Sequence, residues 1–236
     1  LRDLPKFHNH KFEVHYSKIE KVNSVNKIRH PVIRACYKIY KLKPYINLNY
    51  DADMPAKSGL GTSSSFTVSL IKTILKYKKK YLTKKKLLKK SIFLERNHLK
   101  EAVGCQDQTL AVYGGFNLIK FSKKSITVKK IKISKKALTK LESNLFLVYT
   151  DSVRYASKIE KKKINQIKTK EEIYFEILKI TKKALDVFEK NKNVDLIGNL
   201  LDKYWNLKKN LSGNVANKNI NNLYKKGIQS GALGGK

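Results

Sequence analysis

The residues best suited to chemistry form a glycine- and hydroxyl-rich stretch over residues 58–65, which reads Ser-Gly-Leu-Gly-Thr-Ser-Ser-Ser. Gly59 and Gly61 allow a left-handed backbone, which lets a ligand approach the amide groups closely. The hydroxyls stand where an apolar-periodic segment, 66–77, begins. Because the first turn of a helix offers free N–H groups and the positive end of its dipole, the stretch predicts a phosphate-binding loop.

The common nucleotide motifs do not fit this loop. It lacks the Gly-Lys-Ser/Thr ending of a Walker A loop, and it matches no G-x-G-x-x-G dinucleotide fingerprint. A plainer alternative stays open, in which Ser58 or Thr62 only caps the following helix. The segment 45–50 alternates like a half-buried strand, so the predicted unit is strand, loop and helix.

Two acidic residues further along are candidates for the same chemistry. Glu95 lies within a mostly basic predicted helix, and its plain interpretation is a surface carboxylate paired with a nearby Lys. Asp107 lies at the predicted start of a short helix, where an Asp usually caps the helix or interacts with its dipole. Cys105 has no His beside it in the local sequence that would activate a thiol. From the residues alone, catalysis by Asp107 is one of two possibilities.

The elements that would position these residues follow from periodicity. We predict strands at 11–17, 45–50, 116–121 and 125–133, and helix starts at His30-Pro31, Thr83, Gly104 and Ser134. The segment 20–26 is polar and predicts a loop, whereas the apolar run 144–150 is typical of a central strand buried on both faces. Further helical patterns follow at 152–166, 169–190, 193–209 and 215–229. The predicted class is α+β, with a domain boundary near residue 143.

Composition restricts the class of partner. The formal net charge is +34, but only five of the 52 basic residues are Arg, the residue that nucleic-acid recognition favours. AT-rich codons favour Lys, Asn and Ile, and all three are frequent in this sequence, so background composition explains the high positive charge as well as a function does. A nucleic-acid partner is therefore not expected. No apolar run reaches the ~20 residues of a membrane helix, and no membrane partner is expected either.

Cysteine and histidine usage predicts no metal centre or disulfide framework. Cys36 and Cys105 are isolated, which suits a reducing cytoplasm. His8, His10 and His15 are interpreted as surface residues, because no carboxylate or Cys is recognised at ligand spacing beside them.

Taken together, these stretches resemble the GHMP family of small-molecule kinases. The sequence Pro55-x-x-x-Gly-Leu-Gly-Thr-Ser-Ser-Ser is similar to the family's P-x-x-x-G-L-G-S-S-A loop, with Thr62 for the first Ser and Ser65 for the Ala. The sequence Gly-Cys-Gln-Asp-Gln over 104–108 is similar to the family's G-K-Q-D-Q segment, with Cys105 where Lys is common.

Two further stretches extend the resemblance over nearly the whole chain. They are Tyr-Gly-Gly-Phe-Asn at 113–117, and Leu-Val-Tyr-Thr at 147–150 with Arg154 following. Within the family, the chain is most similar to sugar kinases that act on D-glycero-D-manno-heptose 7-phosphate. The resemblance implies a ribosomal protein S5 domain 2-like N-terminal domain over 1–142 and a ferredoxin-like C-terminal domain over 143–236.

The resemblance also implies a function and a set of site residues. It implies ATP- and Mg²⁺-dependent phosphorylation of the anomeric hydroxyl of the heptose phosphate, in nucleotide-activated heptose biosynthesis, by a cytoplasmic monomer or homodimer. Asp107 would be catalytic, Ser63 and Glu95 would bind the metal, and Gln106 and Arg154 would contact the substrate. The ATP phosphates would be bound by Pro55, Ser58, Gly59, Leu60, Gly61, Thr62, Ser63 and Ser64.

The family's first motif and its third, glycine-rich motif have no counterpart in this sequence. The resemblance therefore implies a fragment of a kinase. Two other hypotheses stay open, a non-catalytic remnant of such a kinase and a basic nucleic-acid-associated protein.

Overall fold

The computed structural model describes residues 1–54, 58–150, 168–211 and 217–236. The chain divides into two compact units, Leu1–Gly114 and Gly115–Lys236. Both units combine strands with helices, which confirms the predicted α+β class. The predicted boundary between residues 142 and 143 concerns family domains and stays a prediction. None of the helices in the described ranges has the length and apolar character needed to cross a bilayer.

A four-stranded sheet organises the first unit. Its strands are β1 (Arg2–Asp3), β2 (Phe12–His15), β3 (Ile19–Val22) and β4 (Ile46–Asn49), in the order β1-β4-β2-β3. Strand β2 runs parallel to β4 and antiparallel to β3, so that Val14 lies opposite both Leu48 and Glu20. The strands predicted over 11–17 and 45–50 are confirmed.

Strand β3 corrects the prediction that 20–26 is a loop. Glu20 is buried, and its carboxylate accepts hydrogen bonds from the N–H groups of Arg29 and His30 at 2.6 and 3.2 Å. The hydroxyl of Tyr16 donates a third, at 2.9 Å. A buried carboxylate is tolerated in a strand when donors satisfy it, and donors from distant residues leave no trace in the local sequence pattern.

Four helices complete the first unit, and the start signals predicted at His30-Pro31 and Thr83 are confirmed. The helices are α1 (Pro31–Ile39), α2 (Thr62–Tyr77), α3 (Lys84–Phe93) and α4 (Gln106–Tyr113). Pro31 occupies the first position of α1, and the hydroxyl of Thr83 accepts the N–H of Lys86 at the start of α3. The ring of Tyr37 on α1 lies 5.9 Å from the ring of Phe12 on β2, which joins helix to sheet.

Helix α2 is the central helix of this unit and packs against α1, α3 and α4. It buries Leu70, Ile71 and Ile74 almost completely. Glu95, predicted to lie within a helix, lies just beyond the end of α3, where the chain widens into a π-helical turn over Leu94–His98. In this turn the N–H of Leu99 donates to the carbonyl of Leu94 at 2.9 Å. Such turns occur frequently at functional sites.

The second unit begins with a hairpin and continues with helices. Strands β5 (Asn117–Phe121) and β6 (Ile126–Lys130) pair antiparallel, as predicted, with Ile119 opposite Val128. Helix α5 (Lys135–Ser143) starts after Ser134, whose hydroxyl accepts the N–H of Ala137. The remaining predicted helices that fall on described residues are confirmed as α6 (Glu171–Glu189), α7 (Asp195–Leu211) and α8 (Lys218–Gln229).

The apolar run at 144–150 is not the buried strand that its composition predicts. Residues 145–150 belong to no sheet in the described part of the chain, and Phe146 and Leu147 are 87% and 71% exposed. A strand buried on both faces needs neighbouring strands, and the described strands of this unit pair only with each other. The ferredoxin-like architecture stays a prediction.

Candidate active site

The glycine loop adopts the backbone that its glycines predict. Gly59 and Gly61 have φ angles of 81° and 72°, in the left-handed region that disfavours any residue with a Cβ. Gly61 is the N-cap of α2, and no described side chain caps this helix start. The alternative in which Ser58 or Thr62 serves as the cap is therefore wrong. Among the described residues no side chain caps the N–H groups of the first turn, so this turn is suited to bind an anion. Pro55 lies outside the described residues.

The hydroxyl that faces Glu95 belongs to Ser64. Its Oγ donates to Oε2 of Glu95 at 2.9 Å, and both residues are buried. Ser63, the residue paired with Glu95 by the resemblance, is exposed. Since successive helical residues are rotated by about 100°, neighbouring serines on α2 point to different surroundings. Glu95 is only 1% exposed, so the interpretation as a surface carboxylate is wrong.

Gln108 is a second donor to the same carboxylate, and the sequence did not single it out. Its Nε2 donates to Oε2 of Glu95, and its side chain is 1% exposed. The other oxygen of Glu95, Oε1, is buried and has no hydrogen-bond partner among the described residues. A buried carboxylate oxygen without a donor is unfavourable unless a ligand or cation reaches it. Gln108 is the last residue of the Gly-Cys-Gln-Asp-Gln segment over 104–108, and this place beside Asp107 is the signal in the sequence that could have drawn attention to it.

Asp107 lies in the first turn of α4 and is exposed. Its side chain packs directly against Gly61, because a Cβ built on Gly61 would stand 3.0 Å from Cγ and 3.2 Å from Oδ2 of Asp107. The loop and the Asp, which are 46 residues apart in sequence, thus meet in the folded unit. The structure therefore places an exposed carboxylate beside the free N–H groups at the start of α2.

The remaining predicted residues lie around this centre or outside the described chain. Gln106 is exposed at the first position of α4. Arg96 Nη1 donates to Sγ of Cys105 at 3.3 Å, next to the N-terminus of the same helix. Arg154 lies outside the described residues. The pKa of Glu101 is raised, first by burial and then by the nearby negative charge of Glu95.

A separate cluster near the N-terminus corrects the interpretation of the histidines. Glu13 accepts hydrogen bonds from Nε2 of His10 and of His15, each at 2.6 Å. A carboxylate partner does exist, on the same face of β2 as His15. Across the described residues, however, no group of three or more His, Cys, Asp and Glu side chains could hold a metal ion.

The geometry defines a class of protein. The N–H groups at the start of α2 have no side-chain cap among the described residues and can bind an anion. The exposed carboxylate of Asp107 lies beside them, and the buried carboxylate of Glu95 accepts hydrogen bonds from two donors. Such an arrangement suits the binding of phosphate groups. Residues 26–115 match the sequence profile of the GHMP kinases N terminal domain. This part of the chain is a GHMP kinase N-terminal domain.

Known proteins of this family resemble the chain over most of its length. It is 31% identical over 196 residues to a D-glycero-alpha-D-manno-heptose 7-phosphate kinase of Campylobacter jejuni, a match that covers 80% of this chain and 57% of that protein. It is 25% identical over 182 residues to a bifunctional fucokinase/GDP-fucose pyrophosphorylase of Arabidopsis thaliana, covering 73% and 17% of the two chains. The chain thus spans little more than half of the first of these relatives.

A solved structure shows the same fold. A D-glycero-D-manno-heptose 1-phosphate kinase from Bacteroides thetaiotaomicron superposes with a TM-score of 0.68 at 23% identity, over 98% of this chain and 71% of that one. At this identity the similarity establishes the fold but does not identify the substrate.

Proposed function

We propose that the chain is part of an ATP-dependent sugar kinase, which transfers the terminal phosphoryl group of ATP to the anomeric hydroxyl of D-glycero-D-manno-heptose 7-phosphate. The relative from Campylobacter jejuni, which carries this substrate in its name, supports the choice of sugar. The proposed kinase works in the cytoplasm, in nucleotide-activated heptose biosynthesis, as a monomer or homodimer. Its domains are residues 1–142, S5-like, and 143–236, ferredoxin-like.

The contact between Gly61 and Asp107 carries the proposal. It sets a carboxylate next to the free N–H groups of a helix start, where a phosphate chain would bind. Phosphoryl transfer needs mostly positioning and neutralisation of charge, with a group that accepts or orients the proton of the attacking hydroxyl. In the proposal, Asp107 performs this last task, and its exposure leaves it accessible to a sugar.

The loop would hold the ATP phosphates. Its donors would be the backbone N–H groups of residues 58–64 and the hydroxyls of Thr62 and Ser63. Pro55, which has no N–H and lies outside the described residues, is proposed only as a member of the same loop. The left-handed φ angles of Gly59 and Gly61 allow a ligand to approach these amides closely. Leu60, which is 49% exposed, would contact the nucleotide through its side chain.

The residues present fit a Mg²⁺ ion. Glu95 keeps one oxygen without a partner among the described residues, and a carboxylate oxygen suits a hard cation. Ser63 is the second proposed oxygen ligand; its hydroxyl is exposed, and the hydroxyl bonded to Glu95 in the structure is that of Ser64. Such an ion would neutralise charge on the transferring phosphate. Gln106 and Arg154 are proposed contacts of the sugar phosphate.

A panel of acceptors tests this function. ATP consumption by the complete gene product is measured with heptose 7-phosphate, other sugar 7-phosphates and free sugars. Turnover with heptose 7-phosphate well above that with the free sugars is the expected result. Absence of turnover with every sugar, together with intact folding, would favour the non-catalytic hypothesis. Salt-dependent retention of DNA or RNA without ATP affinity would instead favour a nucleic-acid-associated protein.

A further inference from the structure

We propose that Ser64 and Gln108 are positioning residues, which hold Oε2 of Glu95 between two donors so that Oε1 is presented to the metal ion. The inference rests on the metal site of the proposed function and gives the side chains of Ser64 and Gln108 a role toward the metal that the family resemblance did not assign. Neither residue needs to touch the ion.

The asymmetry of the carboxylate is the first observation. Both donors, the Ser64 hydroxyl and the Gln108 amide, bind Oε2, whereas Oε1 has no partner among the described residues. A carboxylate in water or in an ordinary ion pair can exchange the roles of its two oxygens by rotating about its last bond. With two donors converging on one oxygen position, any other rotation of the group would break both hydrogen bonds, so the plane of the carboxylate and the direction of its second oxygen are fixed.

The burial of all three side chains is the second observation. Ser64, Glu95 and Gln108 are 5%, 1% and 1% exposed, so water offers them little compensation for a lost partner. They come from three different elements, α2, the π-helical turn and α4. Because each element contributes one of the three side chains, removing one donor should free the Glu95 carboxylate to rotate while the backbone of each helix is kept.

The chemistry of metal sites explains why such an arrangement is useful. Hydrogen bonds from neighbouring side chains orient the ligands of a metal, and loss of one such partner lowers metal affinity by about 10- to 100-fold. In this site the two donors would also prevent Glu95 from turning toward other hydrogen-bond donors when no ion is present. The carboxylate would then be ready for the ion without reorganisation.

The test measures binding of Mn²⁺, used as a paramagnetic probe, to the complete gene product in the presence of ADP. Free Mn²⁺ is followed by electron paramagnetic resonance for the parent, Ser64→Ala and Gln108→Leu. ADP affinity without metal is measured alongside, because a merely distorted loop would lower it as well. Two serines supply controls. Ser91→Ala removes a buried hydroxyl that bonds the carbonyl of Leu88, and Ser65→Ala removes an exposed one beside Ser64.

The expected result is a loss of Mn²⁺ affinity of about 10- to 100-fold in Ser64→Ala and in Gln108→Leu, with metal-free ADP affinity unchanged and both controls equal to the parent. Unchanged Mn²⁺ affinity in the two variants would overturn the inference, as would a parallel loss of metal-free ADP binding. If one of the two variants fails to fold, the Mn²⁺ affinity of the other variant tests the inference.

The outcome is separable from that of the proposed function. A parent that binds no Mn²⁺ overturns both this inference and the proposed metal site. If the parent binds Mn²⁺ with an affinity that depends on Ser64 and Gln108, yet phosphorylates no sugar, the inference is supported and only the proposed kinase function is overturned.

Discussion

The carboxylate of Asp107 lies against the backbone of Gly61, so closely that a Cβ at Gly61 would stand 3.0 Å from Cγ of the Asp. Gly61 is thus required for two independent reasons. Its φ of 72° is unfavourable for other residues, and the space beside its Cα is already filled. Gly59 shares only the first requirement, since a Cβ there would meet nothing within 4 Å.

The two glycines therefore give a matched pair of variants. Gly61→Ala and Gly59→Ala are both expected to lose about 1–2 kcal/mol of folding free energy, because each forces an alanine into the left-handed region. Only Gly61→Ala also displaces Asp107, so it should lower kcat much more than Gly59→Ala does. Steady-state kinetics and denaturant unfolding of both variants check this. Equal kcat losses would argue against a functional contact between Gly61 and Asp107.

Substitution of Asp107 tests its proposed catalytic role. Asp107→Asn keeps the shape of the side chain but removes its ability to accept a proton, so we expect kcat to fall by about 10²- to 10⁴-fold. ATP affinity should change little, because the loop amides are untouched. Turnover and equilibrium nucleotide binding are the measurements. Turnover within about tenfold of the parent would remove Asp107 from the mechanism.

Glu95→Gln tests the metal site. The amide keeps the size of the side chain but removes the charge, so the Mg²⁺ concentration needed for half-maximal turnover should rise. A titration of activity against Mg²⁺ at saturating ATP measures it. Since Glu95 is buried against two donors, thermal unfolding of the variant is recorded as a control for stability. An unchanged titration would give Glu95 a purely structural role.

Glu20 gives a prediction about acid stability. Burial alone would raise its pKa, but the N–H of Arg29, the hydroxyl of Tyr16 and the N–H of His30 outweigh burial and hold the pKa below its usual value. The carboxylate therefore stabilises the fold fully above its unfolded pKa, and this contribution is lost as the pH falls through the lower folded pKa.

Glu20→Gln should accordingly be less stable at neutral pH, by several degrees in Tm, and should lose less of its remaining stability between about pH 5 and pH 3. Thermal unfolding across this range, with Asp53→Asn as an exposed control, measures the difference. Parallel pH profiles for Glu20→Gln and the parent would show that Glu20 does not contribute to acid stability.

The parts of the fold that local chemistry determines were predictable from the sequence. The loop glycines, Pro31, Thr83 and Ser134 mark turns and helix starts because each has a conformational or hydrogen-bonding property that acts within a few residues. The order along the chain of the glycine loop, Glu95 and Asp107 could also be recognised from the sequence.

What could not be predicted depends on partners distant in sequence. Glu20 enters a strand because N–H groups nine and ten residues away satisfy it. Ser64 rather than Ser63 meets Glu95 because the helix starts at Thr62, a boundary that periodicity does not fix to one residue. The run 144–150 has the composition of a buried strand, but composition cannot supply the neighbouring strands that burial requires.

The π-helical turn at Leu94–His98 also determines where this chain can change in length. A deletion of one residue there would let α3 continue in ordinary register, and every side chain beyond the deletion would rotate by about 100° around the axis. Glu95 and the start of α4 would then lose their common orientation. The hairpin turn between Phe121 and Ile126, by contrast, can accept added residues at little cost. Insertions and deletions among relatives should therefore collect in the hairpin and avoid the five residues of the turn.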